Sequence, residues 1–173
     1  MTIRIDYSNM MGDAAGGIPE SQWSDAASRF TNAFESFATL RESGTVGFAD
    51  IVRDQSLRDQ ATDYATRAKG RFDDVVVLGI GGSALGPIAL RTALRPSGWN
   101  MLSDTARGGY PRLHVLDNVD PETIAALLGR LQLPRSLFIV TSKSGGTAET
   151  MSQFLIVHEA LKRASLPIRA HIV

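Results

Sequence analysis

The 173-residue chain contains no cysteine. Disulfides and thiolate metal sites are therefore excluded, and the composition fits a reducing compartment, which predicts a cytoplasmic protein. There is no surplus of charge either: 18 basic and 18 acidic residues give a formal net charge of +0. A chain so balanced lacks the electrostatic footprint of a nucleic-acid or anionic-membrane binder. Long hydrophobic runs are missing, since none nears the roughly 20 residues that span a bilayer. Residues 1–11 have no apolar centre of the kind a signal peptide carries. Internal repeats and low-complexity segments are also absent. What remains is a 43% hydrophobic composition, enough for a full core in a chain of this length.

The chain is organised around residues 75–94. Val75 to Leu78 form an unbroken, β-branched apolar run, which predicts a strand buried on both faces, as in a parallel sheet. Gly79-Ile80-Gly81-Gly82-Ser83 then turns with little side-chain bulk. Leu85, Ile88, Ala89, Thr92 and Ala93 follow at helical spacing. Strand, glycine turn and helix together aim N–H groups and the positive end of a helix dipole at one point, which suits an anion.

Upstream, alternating Ile3, Ile5 and Tyr7 predict a short strand, followed by a glycine-rich link through Gly17. Pro19–Arg41 predicts a helix with Trp23, Ala27, Phe30, Phe34, Phe37 and Leu40 along one face and Gly44 as its stop. That aromatic stripe is expected to pack on the core rather than to line a groove for a ligand or partner. Ser56–Lys69 predicts a second helix, with Leu57, Ala61, Tyr64 and Ala68 inward and Gly70 beyond its end. Residues 1–70 are thus expected to be a helical extension, and residues 71–173 an α/β domain.

From Val75 onward, strands and helices alternate. Leu113–Leu116 predicts a second strand, closed by Asp117-Asn118. Asp120 is placed to cap a helix with Pro121 at its first position, Glu122 behind it, and Ile124, Leu127, Leu128 and Leu131 inward. Ser136–Thr141 predicts a third strand. Thr147–Ala164 predicts a further helix with Met151, Phe154, Leu155, His158 and Leu161 on one face, and Pro167 precedes a fourth strand, Ile168–Val173. Repeated βαβ units imply a doubly wound parallel sheet of order 2-1-3-4, right-handed crossovers, helices on both faces, and ligands beyond the carboxyl ends of the strands. The rhythm stops on a strand. The sheet is therefore expected to be incomplete at its strand-four edge, an association hazard, and the chain reads as the first part of a longer protein.

Two loops carry the chemistry. Gly79, Gly81 and Ala84 fit the G-x-G-x-x-A dinucleotide fingerprint, whose acidic partner would be Asp117. That residue follows much later than the fingerprint's usual spacing and serves equally as a turn residue. Thr141-Ser142-Lys143-Ser144-Gly145-Gly146-Thr147 packs four hydroxyls, one ammonium and two glycines into seven residues at a helix start. Hydroxyls donate to anionic oxygens, glycines let the backbone approach, and the dipole favours negative charge. The order of Lys and Ser differs from a Walker A loop. The alternative is a polar turn capped by Thr147. Strand order 2-1-3-4 would bring both loops to one crevice. His114 and His171 fall within predicted strands and His158 on an apolar stripe, which suits structural histidines, and the helix dipole accounts for Glu149 in a first turn.

The segments GIGGSALGP, HVLDNVDP and SKSGGTAET, beginning at Gly79, His114 and Ser142, together resemble the phosphoglucose isomerase family in its bacterial form. Their order and spacing match, and the resemblance runs from about Ser56 to the end. It implies a sugar-isomerase fold of flavodoxin-like order with neither cofactor nor metal. The implied site is built from the Gly82-Ser83 turn with Ser142, Lys143, Ser144 and Thr147, which clasp the substrate phosphate. The family interconverts glucose 6-phosphate and fructose 6-phosphate by ring opening and a cis-enediol, using a glutamate base, an arginine, a histidine and a lysine, in sites built from two subunits of a homodimer. None of those four residues maps onto this chain. The resemblance therefore implies a phosphate-binding portion that is inactive alone. A sugar-phosphate-sensing module of the same fold and a dinucleotide-binding dehydrogenase domain are the other two readings.

Overall fold

The computed structural model describes residues 4–12 and 16–173. The chain divides into two units, with the boundary between Asp59 and Gln60. The first is built on α1 (Glu20–Glu42), which Pro19 precedes and Gly44 follows at φ +75°. Arg41 near its end grips Asp50 at two points, Nε–Oδ2 2.8 Å and Nη2–Oδ1 2.6 Å. The aromatic face of α1 is not a core face, contrary to expectation: Phe30 is 69% and Phe34 60% exposed. Its rings instead pair with one another and with nearby turns, Tyr7 on Trp23 at 5.1 Å, Phe30 on Phe34 at 6.2 Å and Phe37 against Phe48 at 6.5 Å between centroids. Among its described residues this unit has no sheet on which the stripe could bury itself. Ile5 and Tyr7 lie in irregular backbone leading to a turn at Ser8–Met10, so no strand forms there, and Ile3 falls outside the described residues. Helix α2 (Gln55–Ala68) crosses the boundary, and its Leu57 and Tyr64 are likewise exposed rather than inward.

The second unit contains β1 (Asp74–Leu78), β2 (Arg112–Leu116) and β3 (Ser136–Val140) in a parallel sheet of order β2-β1-β3. Asp74 aligns with Arg112 and Ser136, and Leu78 with Leu116 and Val140, so the three carboxyl ends are level. Helices α4 (Pro121–Leu128) and α5 (Ala148–Arg163) cover one face: Ile124, Val157 and Leu161 pack with Val76, Leu78 and Phe138 in the buried cluster. Helix α3 (Gly82–Leu94) packs on β1 and β2 outside that cluster, on the opposite face that right-handed crossovers require. Asp120 caps α4 as expected, accepting from the Thr123 N–H at 2.9 Å.

Three details depart from the sequence reading. Ile168–His171 forms a single helical turn, α6, and only Ile172 bridges to Phe138 in the place of the fourth strand. Pro167 precedes that turn, where its fixed φ and missing N–H suit a helix start. His171 faces inward, 6% exposed, with Nδ1 2.8 Å from the Ser136 carbonyl. The inward face of α5 is Thr150, Gln153, Val157 and Leu161, with Met151 and Leu155 exposed. On α3, Ala84 is buried and Leu85 is 61% exposed. Both helices leave tight loops beside a strand end. Small Ala84 and Thr150 fit that place, and the bulkier neighbours turn outward.

At Leu113 the outer edge of β2 is covered by a side chain. The Asn100 carboxamide donates to the Leu113 carbonyl at 2.9 Å and accepts from the Leu113 N–H at 2.9 Å, as a neighbouring strand would. No helix among the described residues is long and apolar enough to cross a membrane.

Candidate phosphate-binding site

The first loop turns where it does because of two glycines. A Cβ on Gly79 would stand 2.9 Å from the Cβ of Ser83, and Gly81 sits at φ +58°, a conformation costly for other residues. The turn thereby sets Gly82 and Ser83 at the start of α3, beyond the end of β1. The second loop is tied to the same place, since the Thr141 N–H donates to the Leu78 carbonyl at 2.9 Å. Within it the Gly145 N–H donates to Ser142 Oγ at 2.9 Å and the Gly146 N–H to Ser144 Oγ at 3.3 Å. A hydroxyl that accepts from an amide keeps its own proton for another partner. Ser142 and Ser144 are thus held as donors.

All six positions derived from the sequence, Gly82, Ser83, Ser142, Lys143, Ser144 and Thr147, line one cleft of about 550 Å³, together with Ile80 and Thr141. Thr147 occupies the N-cap position of α5, but its hydroxyl caps nothing. It lies 3.3 Å from the Ser144 hydroxyl instead. The backbone N–H groups of Ala148, Glu149 and Thr150 have no acceptor among the described residues. Lys143 is the one charged side chain of the lining and has no ion pair among the described residues. An open helix start, five hydroxyls and an ammonium line one space, an arrangement that can hold a dianion.

The lining contains no carboxylate and no imidazole. His114 Nε2 is 2.8 Å from the Asp74 carboxylate, His171 is committed to Ser136, and His158 lies beside the Phe154 ring at 5.7 Å. Glu149 is exposed on the first turn of α5, and Asp117 lies outside the lining. One residue that supports this end of the sheet escaped the sequence reading. Gln153, 1% exposed, donates through Nε2 to the carbonyls of Leu116 and Asn118, both at 3.0 Å, and so pins the end of β2 to α5. Its signal was present: a lone amide at helical spacing with Val157 and Leu161.

Comparison with known proteins gives one consistent result. The family profile described as phosphoglucose isomerase matches residues 45–172. The glucose-6-phosphate isomerase of Carboxydothermus hydrogenoformans is 38% identical over 167 residues, covering 94% of this chain and 36% of that protein. The one from Rubrobacter xylanophilus is 36% identical over 163 residues, with the same coverage of 94% and 36%. Among solved structures, a hypothetical protein of Thermus thermophilus superposes with a TM-score of 0.61 at 32% identity, covering 88% of this chain and 35% of that one. A glucose-6-phosphate isomerase from Chlamydia trachomatis gives 0.53 at 30% identity, over 64% of this chain and 20% of that one. The chain thus spans about 36% of the length of the first two curated relatives.

Proposed function

The chain belongs to the phosphoglucose isomerase family, and from that premise we propose that its cleft holds the phosphate of a hexose phosphate, glucose 6-phosphate or fructose 6-phosphate. The observation that carries the proposal is the open start of α5: Thr147 stands at the cap position with its hydroxyl turned to Ser144, and the first N–H groups of the helix are unclaimed. A phosphate dianion supplies the missing acceptors. The N–H groups at the helix start, the protons of Ser142 and Ser144 and the Lys143 ammonium donate to its oxygens, and Gly82 and Ser83 close the other side. On this reading residues 71–173 are the sugar-phosphate-binding domain and residues 1–70 a helical extension.

Holding the phosphate fixes where the sugar's first two carbons lie, which is a positioning contribution to aldose–ketose interconversion. Moving a proton between those carbons needs a base near its operating pH, and the cleft lining provides neither carboxylate nor imidazole. We therefore assign isomerisation through a cis-enediol to a longer homodimeric protein, and to this chain the binding step alone. The same lining favours the second reading, a sensor that binds without turnover.

The test is a titration of the ¹⁵N-labelled chain with fructose 6-phosphate and, separately, NAD, alongside a coupled isomerase assay. Saturable shifts of Ser83, Gly145 and Gly146 with the sugar phosphate, none with NAD, and no turnover are expected. A folded chain that ignores fructose 6-phosphate overturns the binding assignment. Turnover above background overturns the division of labour.

A further inference from the structure

We propose that the chain carries a second oxyanion site at the far end of α3, in which Arg91 and Arg95 take a small phosphate-bearing ligand. It is separate from the cleft at the start of that helix: 13 residues at ~1.5 Å rise put the two ends roughly 20 Å apart. A cavity of about 320 Å³ lies there, lined by Arg91, Thr92, Arg95, Ser97, Trp99 and Asn100 with Pro96, and no carboxylate faces it.

Neither guanidinium is neutralised by an acid among the described residues. Arg107, Arg112, Arg135 and Arg163 of the same unit each pair with an acid. Arg91 and Arg95, like Arg71, Arg130 and Arg169, pair with none among the described residues; what sets the first two apart is that they share one cavity. Arg91 reaches only the Leu113 carbonyl, at 3.4 Å. Arg95 stacks over the Trp99 ring at 4.5 Å and near the Tyr110 ring at 5.6 Å. Stacking uses the faces of a guanidinium and leaves its N–H groups at the edge, so Arg95 is oriented and still able to donate. Its platform is rigid: Trp99 is 9% exposed and its indole N–H donates to the Pro111 carbonyl at 3.1 Å. Asn100 is held in place by its two hydrogen bonds with Leu113 and serves as wall. The hydroxyls of Thr92 and Ser97 are further donors.

Two arginines one helical turn apart, without an acid between them, match a tetrahedral oxyanion. Compensation of the helix dipole accounts for a basic residue in the last turn. It does not account for the stacked orientation or for an acid-free cavity. Because that same dipole end opposes an anion, affinity in the millimolar range is expected.

The experiment titrates the ¹⁵N-labelled full chain with inorganic phosphate and, as control, with sodium chloride at equal ionic strength. The reporters are the Trp99 indole N–H, one of only two tryptophan signals, and the amides of Ser97 and Gly98. The expected result is a saturable shift with phosphate alone, preserved in Ser144→Ala and weakened about tenfold in Arg91→Gln and in Arg95→Gln. Arg95→Lys, which keeps the charge but loses the planar fork, should behave like Arg95→Gln. If Arg95→Gln fails to fold, Arg91→Gln carries the test, since Arg91 stacks on no ring. Reporters that stay still while Gly145 and Gly146 respond, a shift reproduced by chloride, or a shift that survives Arg91→Gln would each overturn the proposal. Loss of the Gly145 and Gly146 response with these reporters intact would instead count against the α5 cleft alone.

Discussion

Asp74 on β1 and Arg112 on β2 stand side by side in register and meet through two hydrogen bonds, Nε–Oδ1 at 2.7 Å and Nη2–Oδ2 at 2.6 Å, with the carboxylate only 1% exposed. His114 Nε2 approaches the same Oδ1 at 2.8 Å. Burial alone would push the Asp74 carboxyl up. The hydrogen bonds from Arg112 and His114, with their charges, outweigh it and hold the group below the ordinary carboxylate value. Since the folded state keeps this carboxylate ionised to lower pH than the unfolded state does, the stability it contributes is full at neutral pH. It is lost as pH falls through the folded-state value. Urea midpoints measured against pH should fall on the acid side in the parent and fall less steeply in Asp74→Asn. Arg112→Met, which strands the carboxylate, should cost about 2 kcal/mol, below the 3–5 of fully buried pairs because Arg112 is partly exposed.

Thr147→Ala separates capping from ligand binding. A capping hydroxyl is worth about 1 kcal/mol, but this one makes no capping bond. Urea denaturation should therefore move by less than about 0.5 kcal/mol, while phosphate-induced shifts of Gly146 weaken severalfold.

Gly79→Ala introduces a methyl where Ser83 leaves 2.9 Å. The methyl would also meet the Ser83 backbone C and O, both at 3.2 Å, so the turn must open. A loss of about 1–3 kcal/mol is expected, together with loss of the Ser83 response to phosphate, read in one set of titration spectra.

Gln153→Leu removes the side-chain donor from the carbonyls of Leu116, which keeps the Gly79 N–H at 3.3 Å, and Asn118, at a cost of about 1–3 kcal/mol. Gln153→Glu should be worse at neutral pH, because a carboxylate would face two carbonyls, and should recover on acidification as the buried acid takes a proton and can donate again. A Gln153→Glu variant that becomes less stable relative to the parent as pH falls would contradict this.

Phe30→Ser tests the stripe on α1. A core phenylalanine costs about 3–5 kcal/mol when truncated. At the exposure seen here, with the Phe34 ring as its one ring partner among the described residues, a change under about 1 kcal/mol is expected by urea unfolding.

The sheet and both loops were legible because their signals are local. Val75–Leu78 is apolar and β-branched, Asp120-Pro121 is a helix start, and Ser142–Thr147 leaves a strand for a helix, so strand order alone brings the loops together. What the sequence did not disclose is rotational or competitive. Whether Leu85 or Ala84 turns inward depends on how closely α3 approaches β1, which is a tertiary quantity. Ile168, Ala170 and Ile172 alternate with Arg169 and His171 as in a strand, but Pro167 starts a helical turn and the imidazole of His171 finds Ser136. The phenylalanines of α1 repeat with helical period whether or not a surface exists to cover them.

Asn100 blocks the outer edge of β2 at one residue. On β2 its carboxamide occupies both main-chain groups of Leu113. On β3 the imidazole of His171 meets the Ser136 carbonyl, and Val173 takes the Phe138 carbonyl and the Val140 N–H. Leu113 on one side, and Ser136, Phe138 and Val140 on the other, thus meet groups that imitate a neighbour. A foreign strand arriving at β2 would have to evict an amide that already holds two hydrogen bonds, and it would gain only the same two in return. Docking at that margin is close to an even exchange, which leaves self-association by strand addition without a driving force at Leu113.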